Sequence, residues 1–294
     1  MNPSTPNSDS LRYRLGSREV RRMGYGAMQL AGPAVYGPPA DPQAAIALLR
    51  EAVAAGVDHI DTSDFYGPHV TNQLIREALH PYAQSLTLVT KIGARRGLGG
   101  SWNPAFSAEE LRSAVHDNLR NLGVERLEVV NLRLMFDTHD PAEGPIEQPL
   151  GTLEQLRREG LVRHIGLSNA TPAQVRLARS MTDLACVQNH YNLAHRDDDA
   201  LIDELAGAGI AYVPYFPLGG FTPLQSTTLS EVAGELGATP MQVALAWLLQ
   251  RSPNILLIPG TASAAHLRDN LAAESLRLDA ASVRRLDAIA SAGA

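Results

Sequence analysis

Lysine and cysteine each occur once in 294 residues, as Lys91 and Cys186. A single cysteine rules out an intrachain disulfide and the usual thiolate metal sites, which fits a reducing cytoplasmic setting. Long apolar runs are missing as well, so nothing is expected to span a bilayer. The polar start, Met1 to Ser10, lacks the basic-then-apolar pattern of a signal peptide and reads as a disordered tail. Excess positive charge is also absent. At a net charge of −6 and a pI near 5.8 there is no basic face for a nucleic acid or an anionic membrane, so an anionic ligand must meet a local cationic pocket. The 9 histidines are scattered, none at ligand spacing with a second ligand on the same face, and no metal site is expected.

The shortage of lysine has a second consequence. Of 25 basic side chains all but Lys91 are arginine, so a guanidinium serves wherever generic positive charge suffices. A compact, strongly hydrated ammonium with a tunable pKa does what a planar guanidinium cannot, which marks Lys91 for a special task.

The hydrophobic pattern alternates between short β-type runs and longer helical stretches, the signature of βα units and a parallel sheet. After a hairpin over Tyr13 to Arg21, the strands expected are Met23–Ala27, His59–Thr62, Leu86–Lys91, Leu127–Leu132, Val162–Leu167, Leu184–Gln188, Ala211–Tyr215 and Ile255–Ile258. Helices are expected over Asp41–Ala55, Val70–Leu79, Ser107–Leu122, Ile146–Glu159, Thr171–Ser180, Asp198–Gly207, Thr239–Gln250 and Ser263–Leu271, several opened by Asp, Ser or Thr as N-cap. Such alternation predicts an α/β chain folded as one (β/α)₈ TIM barrel domain over residues 1–294, with an N-terminal β-hairpin and an extra C-terminal helix from Asp279 to Ala290. The G-x-G-x-x-G fingerprint of a doubly wound dinucleotide fold is not there: Gly24-Tyr25-Gly26-Ala27-Met28-Gln29 lacks its third glycine. The cluster Gly97-Leu98-Gly99-Gly100 has no P-loop Lys-Ser/Thr after it and reads as a flexible loop above the barrel.

In a barrel of this kind reactive groups sit at the C-terminal ends of strands. The second strand ends in Asp61 and runs into Thr62-Ser63-Asp64-Phe65-Tyr66-Gly67, and the third ends in Lys91. Adjacent strand ends converge, so Asp61, Tyr66 and Lys91 can meet around one point. A phenol is a poor acid at neutral pH; a neighbouring ammonium is expected to lower its pKa, and Asp61 to keep that ammonium charged. The trio suits protonation of a carbonyl oxygen while hydride arrives at carbon. Taken singly, Asp61 could be a cap, Tyr66 a half-buried aromatic and Asp64 a turn residue.

Several motifs in order resemble the aldo-keto reductase family over nearly the whole chain from Gly24. They are the stretch from Gly56 to Gly67, Val89-Thr90-Lys91-Ile92-Gly93, Ile165-Gly166-Leu167-Ser168-Asn169, Val187-Gln188-Asn189-His190-Tyr191, and Ile258-Pro259-Gly260-Thr261 with His266 and Asn270. The resemblance implies a nicotinamide cofactor, with Tyr66 as acid and Asp61 and Lys91 as its partners. It implies that Ser168, Asn169 and Gln188 hold the carboxamide and that Tyr215 stacks on the ring. Gly26, Met28 and Asp61 fall on the same cofactor side. Phe216 and Pro217 are expected at the cofactor too, leading into the loop from Leu218 to Leu224, with Leu218 and Gly220, that is expected over the pyrophosphate. Ile258, Gly260, Thr261, Ser263, His266, Asp269 and Asn270 line the path to the adenosine end. Trp102 joins Tyr66 and Arg133 at the substrate.

Two departures from the family bear on chemistry. Where it usually places histidine at the end of strand four, this chain has Arg133, which cannot exchange a proton near neutrality and must act by charge. His139, a few residues on, reads as solvent-exposed. At the 2′-phosphate site the chain has Gly260 and His266 where other members carry Lys and Arg, so NADPH is expected with NADH still open; Thr261, Ser263, His266 and Arg268 could serve a phosphate. Arg133, together with the segments Gly26 to Gly32, Asp64 to His69 and Phe216 to Gln225, also resembles a narrower branch, the pyridoxal reductases. The rationale is that the 3-hydroxyl of pyridoxal, largely ionised in water, would pair with a fixed cation beside Tyr66. The expected activity is reduction of an aldehyde, pyridoxal to pyridoxine, by a cytoplasmic monomer or small homo-oligomer. The alternatives are other aldehydes or ketones, a Schiff-base lyase acting through Lys91, and a cofactor-sensing regulatory subunit on the same fold.

Overall fold

The computed structural model describes residues 11–138, 140–220 and 224–290. The expected tail at Met1 to Ser10 and His139 lie outside them. β1 (Arg12–Leu15) and β2 (Arg18–Arg21) form the expected antiparallel hairpin. Its Leu15 and Val20 are buried with Val89, Val129, Cys186, Ala211 and Leu256, so the hairpin packs its apolar side against side chains of the barrel strands.

The barrel strands are β3 (Tyr25–Gly26), β4 (His59–Asp61), β5 (Thr87–Ile92), β8 (Leu127–Arg133), β9 (Val162–Ser168), β10 (Leu184–Gln188) and β11 (Ala211–Tyr212), all parallel and paired in that order. The eighth expected strand, Ile255–Ile258, is not a continuous ladder. It closes the barrel through single bridges, Tyr212 with Ile255 on one side and Met23 with Leu257 and Gly26 with Gly260 on the other. Pro214 and Pro259 contribute no N–H to this seam, which shortens its ladders. The seam is also close: a Cβ on Gly26 would lie 2.4 Å from the Ile258 carbonyl oxygen, so glycine there is required by barrel closure.

The helices are α1 (Pro42–Ala54), α2 (Val70–Leu79), α3 (Ala108–Leu122), α4 (Glu147–Arg158), α5 (Pro172–Met181), α6 (Asp199–Gly207), α7 (Thr227–Leu236), α8 (Pro240–Arg251), α9 (Ala264–Ala272) and α10 (Ala280–Asp287). Ser107, Thr171 and Thr239 open α3, α5 and α8 with full capping boxes, reciprocated by Glu110, Gln174 and Gln242. No single helix is long and apolar enough to cross a membrane.

Two elements were not foreseen. Helix α7 buries Leu229, Val232 and Ala233 at helical spacing between its N-cap Ser226 and Gly237, local signals that the expected set of helices left out. The glycine cluster expected as a flexible loop is instead the tip of an antiparallel hairpin, β6 (Ala94–Arg96) and β7 (Trp102–Pro104). Ala94, Arg95 and Arg96 pair with Pro104, Asn103 and Trp102, a pairing too short to show in the sequence pattern.

Candidate active site

Asp61 is the last residue of β4 and pairs in register with Val89; Lys91 lies two residues further along β5 and turns to the same inner face. Its ammonium is bonded to Asp61 Oδ1 and donates to the Thr62 carbonyl oxygen at 3.0 Å. The second carboxylate oxygen accepts from Gln188 Nε2 at 2.9 Å. Tyr66 arrives from the turn after β4, its N–H bonded to the Ser63 carbonyl at 3.1 Å, and Lys91 Nζ lies 5.3 Å from the centre of its ring. Asp61, Lys91 and Tyr66 are 4%, 4% and 6% exposed, so these charges act on one another with little water between them. The structure therefore brings the three expected residues together and adds Gln188 as the clamp on Asp61.

Burial raises the Tyr66 phenol above the ordinary value of 10.0; the positive Lys91 pulls it down and Asp61 pushes it up again. The expected net lowering by Lys91 is thus overturned, because desolvation of the phenolate and the negative Asp61 together outweigh the ammonium. Burial alone would discharge Lys91, but the charges of Asp61 and Tyr66 win and hold its pKa above 10.5.

Around Tyr66 the walls are apolar. Ala31, Val35, Phe65, Ala94 and Met135 cluster with it, and Met28, Trp102 and Phe106 pack alongside. Phe65 makes edge-to-face contacts with both Tyr66 and Trp102, each at 5.4 Å. Trp102 was expected here. Phe65, Met135 and Phe106 were not, since only the fold shows that three separate loops converge on one phenol.

Arg133 ends β8, half-buried, and donates to Ser168 Oγ at 3.4 Å and to the Thr138 carbonyl at 3.1 Å. Its guanidinium lies 5.5 Å from the Tyr215 ring centre, and its charge is one of the influences lowering the Tyr66 pKa. Tyr215 is itself stacked on His190 at 5.6 Å. Asn169 is more committed than expected. At φ 60 its amide nitrogen donates to the carbonyls of Leu134, Asp137 and Asp140, and its oxygen accepts from the Tyr215 hydroxyl at 2.9 Å. It pins the loop after β8, and Thr171, not Ser168 or Asn169, is the cap of α5. Gln188 differs: its Oε1 is fully buried with no hydrogen-bond partner among the described residues. A buried acceptor whose own amide nitrogen is already committed to Asp61 needs a donor, and the NH₂ of a carboxamide is one. The residues at this end therefore fit a nicotinamide.

The residues expected further along the cofactor occupy the loop after β11 and the start of α9. Phe216 has φ 54 and its ring fills the space beside Gly220; Pro217 is buried, Leu218 half-buried against the core, and Phe221, Thr222 and Pro223 of the expected pyrophosphate loop lie outside the described residues. Ile258 is buried inside the barrel, and Gly260 meets Gly26 across the closing seam. Thr261 is buried and takes the Tyr25 hydroxyl on its carbonyl at 2.6 Å. Ser263 caps α9, with His266 and Asp269 exposed and Asn270 buried along it. Arg268 is bonded to Glu51 at 2.7 Å, so a phosphate would have to compete for it. Asp64, His69 and Asp117 present possible metal-ligand atoms within 4.8 Å of one another, a convergence that the sequence pattern did not show. Asp64 is occupied by Asn72, Asn121 and His69, and Asp117 by Arg120.

Comparison with known proteins agrees with this geometry. The description "Aldo/keto reductase family" belongs to the family model that matches residues 22–291. The chain is 68% identical over 278 residues to the pyridoxine 4-dehydrogenase of Escherichia coli, covering 94% of this chain and 97% of that protein. It is 35% identical over 275 residues to an uncharacterized oxidoreductase of Schizosaccharomyces pombe, covering 93% and 88%. Among solved structures, a thermostable aldo-keto reductase in complex with the inhibitor epalrestat superposes with a TM-score of 0.80 at 29% identity, covering 95% of this chain and 99% of that one. With the match running through all of the barrel and its closing helices, the chain belongs to the aldo/keto reductase family.

Proposed function

We propose that this oxidoreductase reduces pyridoxal to pyridoxine with NADPH, as one barrel domain working in the cytoplasm as a monomer or small homo-oligomer. The observation that carries the chemistry is the buried line Gln188, Asp61, Lys91 and Tyr66, at the end of which a single phenol faces an apolar pocket. The close relationship to a pyridoxine 4-dehydrogenase supports the substrate. Gln188, with Ser168 and Tyr215, would hold the nicotinamide end; Ser263, His266, Asp269 and Asn270 on α9 would hold the adenosine end. When bound, the reduced nicotinamide supplies hydride to the carbonyl carbon.

Tyr66 donates its hydroxyl proton to the carbonyl oxygen, and Lys91 offsets the negative charge left on the phenol. Asp61 keeps Lys91 protonated in a site that would otherwise discharge it. Phe65, Trp102 and Met135 exclude water, and the two rings offer flat surfaces to an aromatic aldehyde. Arg133, at the end of the neighbouring strand, pairs with the ionised 3-oxygen of pyridoxal and aims the aldehyde at Tyr66.

The test is a pair of aldehydes, pyridoxal and a neutral aromatic one, assayed by cofactor oxidation with NADPH and NADH for the wild-type chain and for Arg133→His. A charge-assisted bond lost from a half-buried site costs roughly 1.5–3 kcal/mol, so the variant should lose about ten- to a hundredfold in kcat/KM for pyridoxal relative to the neutral aldehyde. Equal losses for the two would move Arg133 from the substrate to the tuning of Tyr66.

A further inference from the structure

Behind the reacting side chains lies a second, wholly buried polar layer. Side chains alternate along a strand, so where Asp61 and Lys91 face into the barrel, their neighbours Thr62 and Thr90 face outward into the helices. The Thr62 hydroxyl donates to Asn72 Oδ1 of α2 at 2.8 Å, and the Thr90 hydroxyl donates to Asn118 Oδ1 of α3 at 2.5 Å. The two amides are joined, Asn72 Nδ2 donating to Asn118 Oδ1 at 2.9 Å and to Asp64 Oδ1 at 3.0 Å. Asn121 Nδ2 reaches the same Asp64 oxygen at 2.8 Å, and Asn118 Nδ2 is satisfied by the Ala114 carbonyl at 2.8 Å. Thr62, Asn72 and Asn118 are 0% exposed and Thr90 is 1% exposed.

We propose that Thr62, Asn72, Thr90 and Asn118 are positioning residues that lock the ends of β4 and β5, and the turn carrying Tyr66, into the one arrangement in which Asp61, Lys91 and Tyr66 meet. The inference rests on the roles proposed above for those three. Four elements converge on the node: the residue after Asp61, the residue before Lys91, and the helices that follow each strand. Asp64 extends it into the turn two residues before Tyr66. A sheet ladder alone allows neighbouring strand ends to slide and twist slightly, and β4 pairs with β5 over only His59, Ile60 and Asp61. A closed set of buried hydrogen bonds has few ways to rearrange without leaving a donor or acceptor unpaired, so it fixes register where the short ladder does not. Two amides at this place cost helix propensity and apolar burial, and an ordinary packed core would fill it with leucine or valine.

The test is Thr90→Val, which keeps the shape of the side chain and deletes the hydroxyl, beside Thr90→Ser, which keeps the hydroxyl. Thr87→Val is the control: it is buried on the same strand, but its hydroxyl has no partner among the described residues. Thr90→Val should lower kcat for pyridoxal about ten- to a hundredfold while KM changes by less than about threefold, because small displacements of reacting groups cost rate rather than binding. Thr90→Ser should recover most of the loss and Thr87→Val should show none. Lys91 is the only lysine, so ε-¹³C-lysine labelling gives one side-chain NMR signal that reads its surroundings in the ligand-free protein. That signal should broaden or split in Thr90→Val and stay sharp in Thr87→Val. Thr62→Val removes the other anchoring hydroxyl and carries the same expectations, so the outcome does not hang on one variant folding. Wild-type kcat with an unchanged lysine signal in either hydroxyl-deleting variant, or equal losses in Thr90→Val and Thr90→Ser, overturns the proposal. Tyr66→Phe separates the two levels: if it stays active the assignment of the acid is wrong, whereas an inactive Tyr66→Phe beside a normal Thr90→Val removes the positioning role alone.

Discussion

Tyr66 is the residue on which opposing forces are most evenly set. Burial raises its pKa, Lys91 lowers it, Asp61 raises it, and the balance lies above 10.0. A phenol whose pKa is raised keeps its proton further into the alkaline range, so reduction should hold steady through neutral pH and fall only as the pH passes above 10.0, where the proton to be donated is lost. Oxidation of the alcohol, which needs the phenolate, should rise over the same range; a pH profile of kcat in both directions checks both limbs. Lys91→Arg should be nearly as damaging as Lys91→Met, because a guanidinium is too large and planar for the space between Asp61 and the Tyr66 ring. Near-normal turnover in the arginine variant, measured by cofactor oxidation, would remove the special role of the single lysine. Asp61, Tyr66 and Lys91 were legible in the sequence because each stands at or just past the C-terminal part of a strand and because one residue type is so rare. Gln188 as the clamp on Asp61 was not, since nothing in the pattern tells which strand lies opposite.

At the scale of elements, the Arg96 side chain ties the hairpin of β6 and β7 to the loop before α1. Arg96 donates to the carbonyls of Ala34 at 3.1 Å and Val35 at 3.2 Å, and its guanidinium lies 4.0 Å from the Trp102 ring centre and 5.4 Å from that of Tyr36. Ala34 and Val35 have φ 56 and 58, a left-handed conformation unfavourable for both and most so for a β-branched residue. The contacts of Arg96 help to hold that turn, and with it the Val35 and Trp102 walls around Tyr66. Arg96→Ala should raise KM for an aromatic aldehyde about tenfold with kcat less affected, since it loosens the pocket and leaves the proton donor alone. Steady-state kinetics decides, and an unchanged KM would show that the walls hold without it. This hairpin escaped the sequence because a pairing of three residues takes most of its stability from what it packs against, not from local preference.

For the whole molecule, the critical seam is the one at which the chain's beginning meets its end. Arg22, only 7% exposed, donates from Nε to the Ile255 carbonyl at 3.1 Å and from Nη2 to the carbonyls of Leu249 at 2.7 Å and Ser252 at 2.5 Å. The last two lie at the C-terminus of α8, where unpaired carbonyls favour a cation. Arg22→Met would fill much of the volume but leave those carbonyls without their donor, and should cost roughly 3 kcal/mol of stability, read as a lower urea midpoint. A loss below about 1 kcal/mol would mean that the seam closes on its backbone bridges alone.

The alternation of strand and helix, the caps at Ser107, Thr171 and Thr239, and the types of residue at the strand ends are local properties, and the sequence by itself determined them. It determined in the same way that one ammonium and one aspartate would stand on neighbouring strands, with one tyrosine in the turn that follows the aspartate. Only the tertiary structure decided the net direction of the Tyr66 pKa, because that depends on how deeply three loops bury the phenol. It decided that Asn169 ties down a loop while Gln188 keeps an acceptor with no partner among the described residues, and that two threonines and two asparagines meet behind the site. Hydrogen-bond partners and dielectric are set by residues distant in sequence, and no spacing rule along one strand or helix reports them.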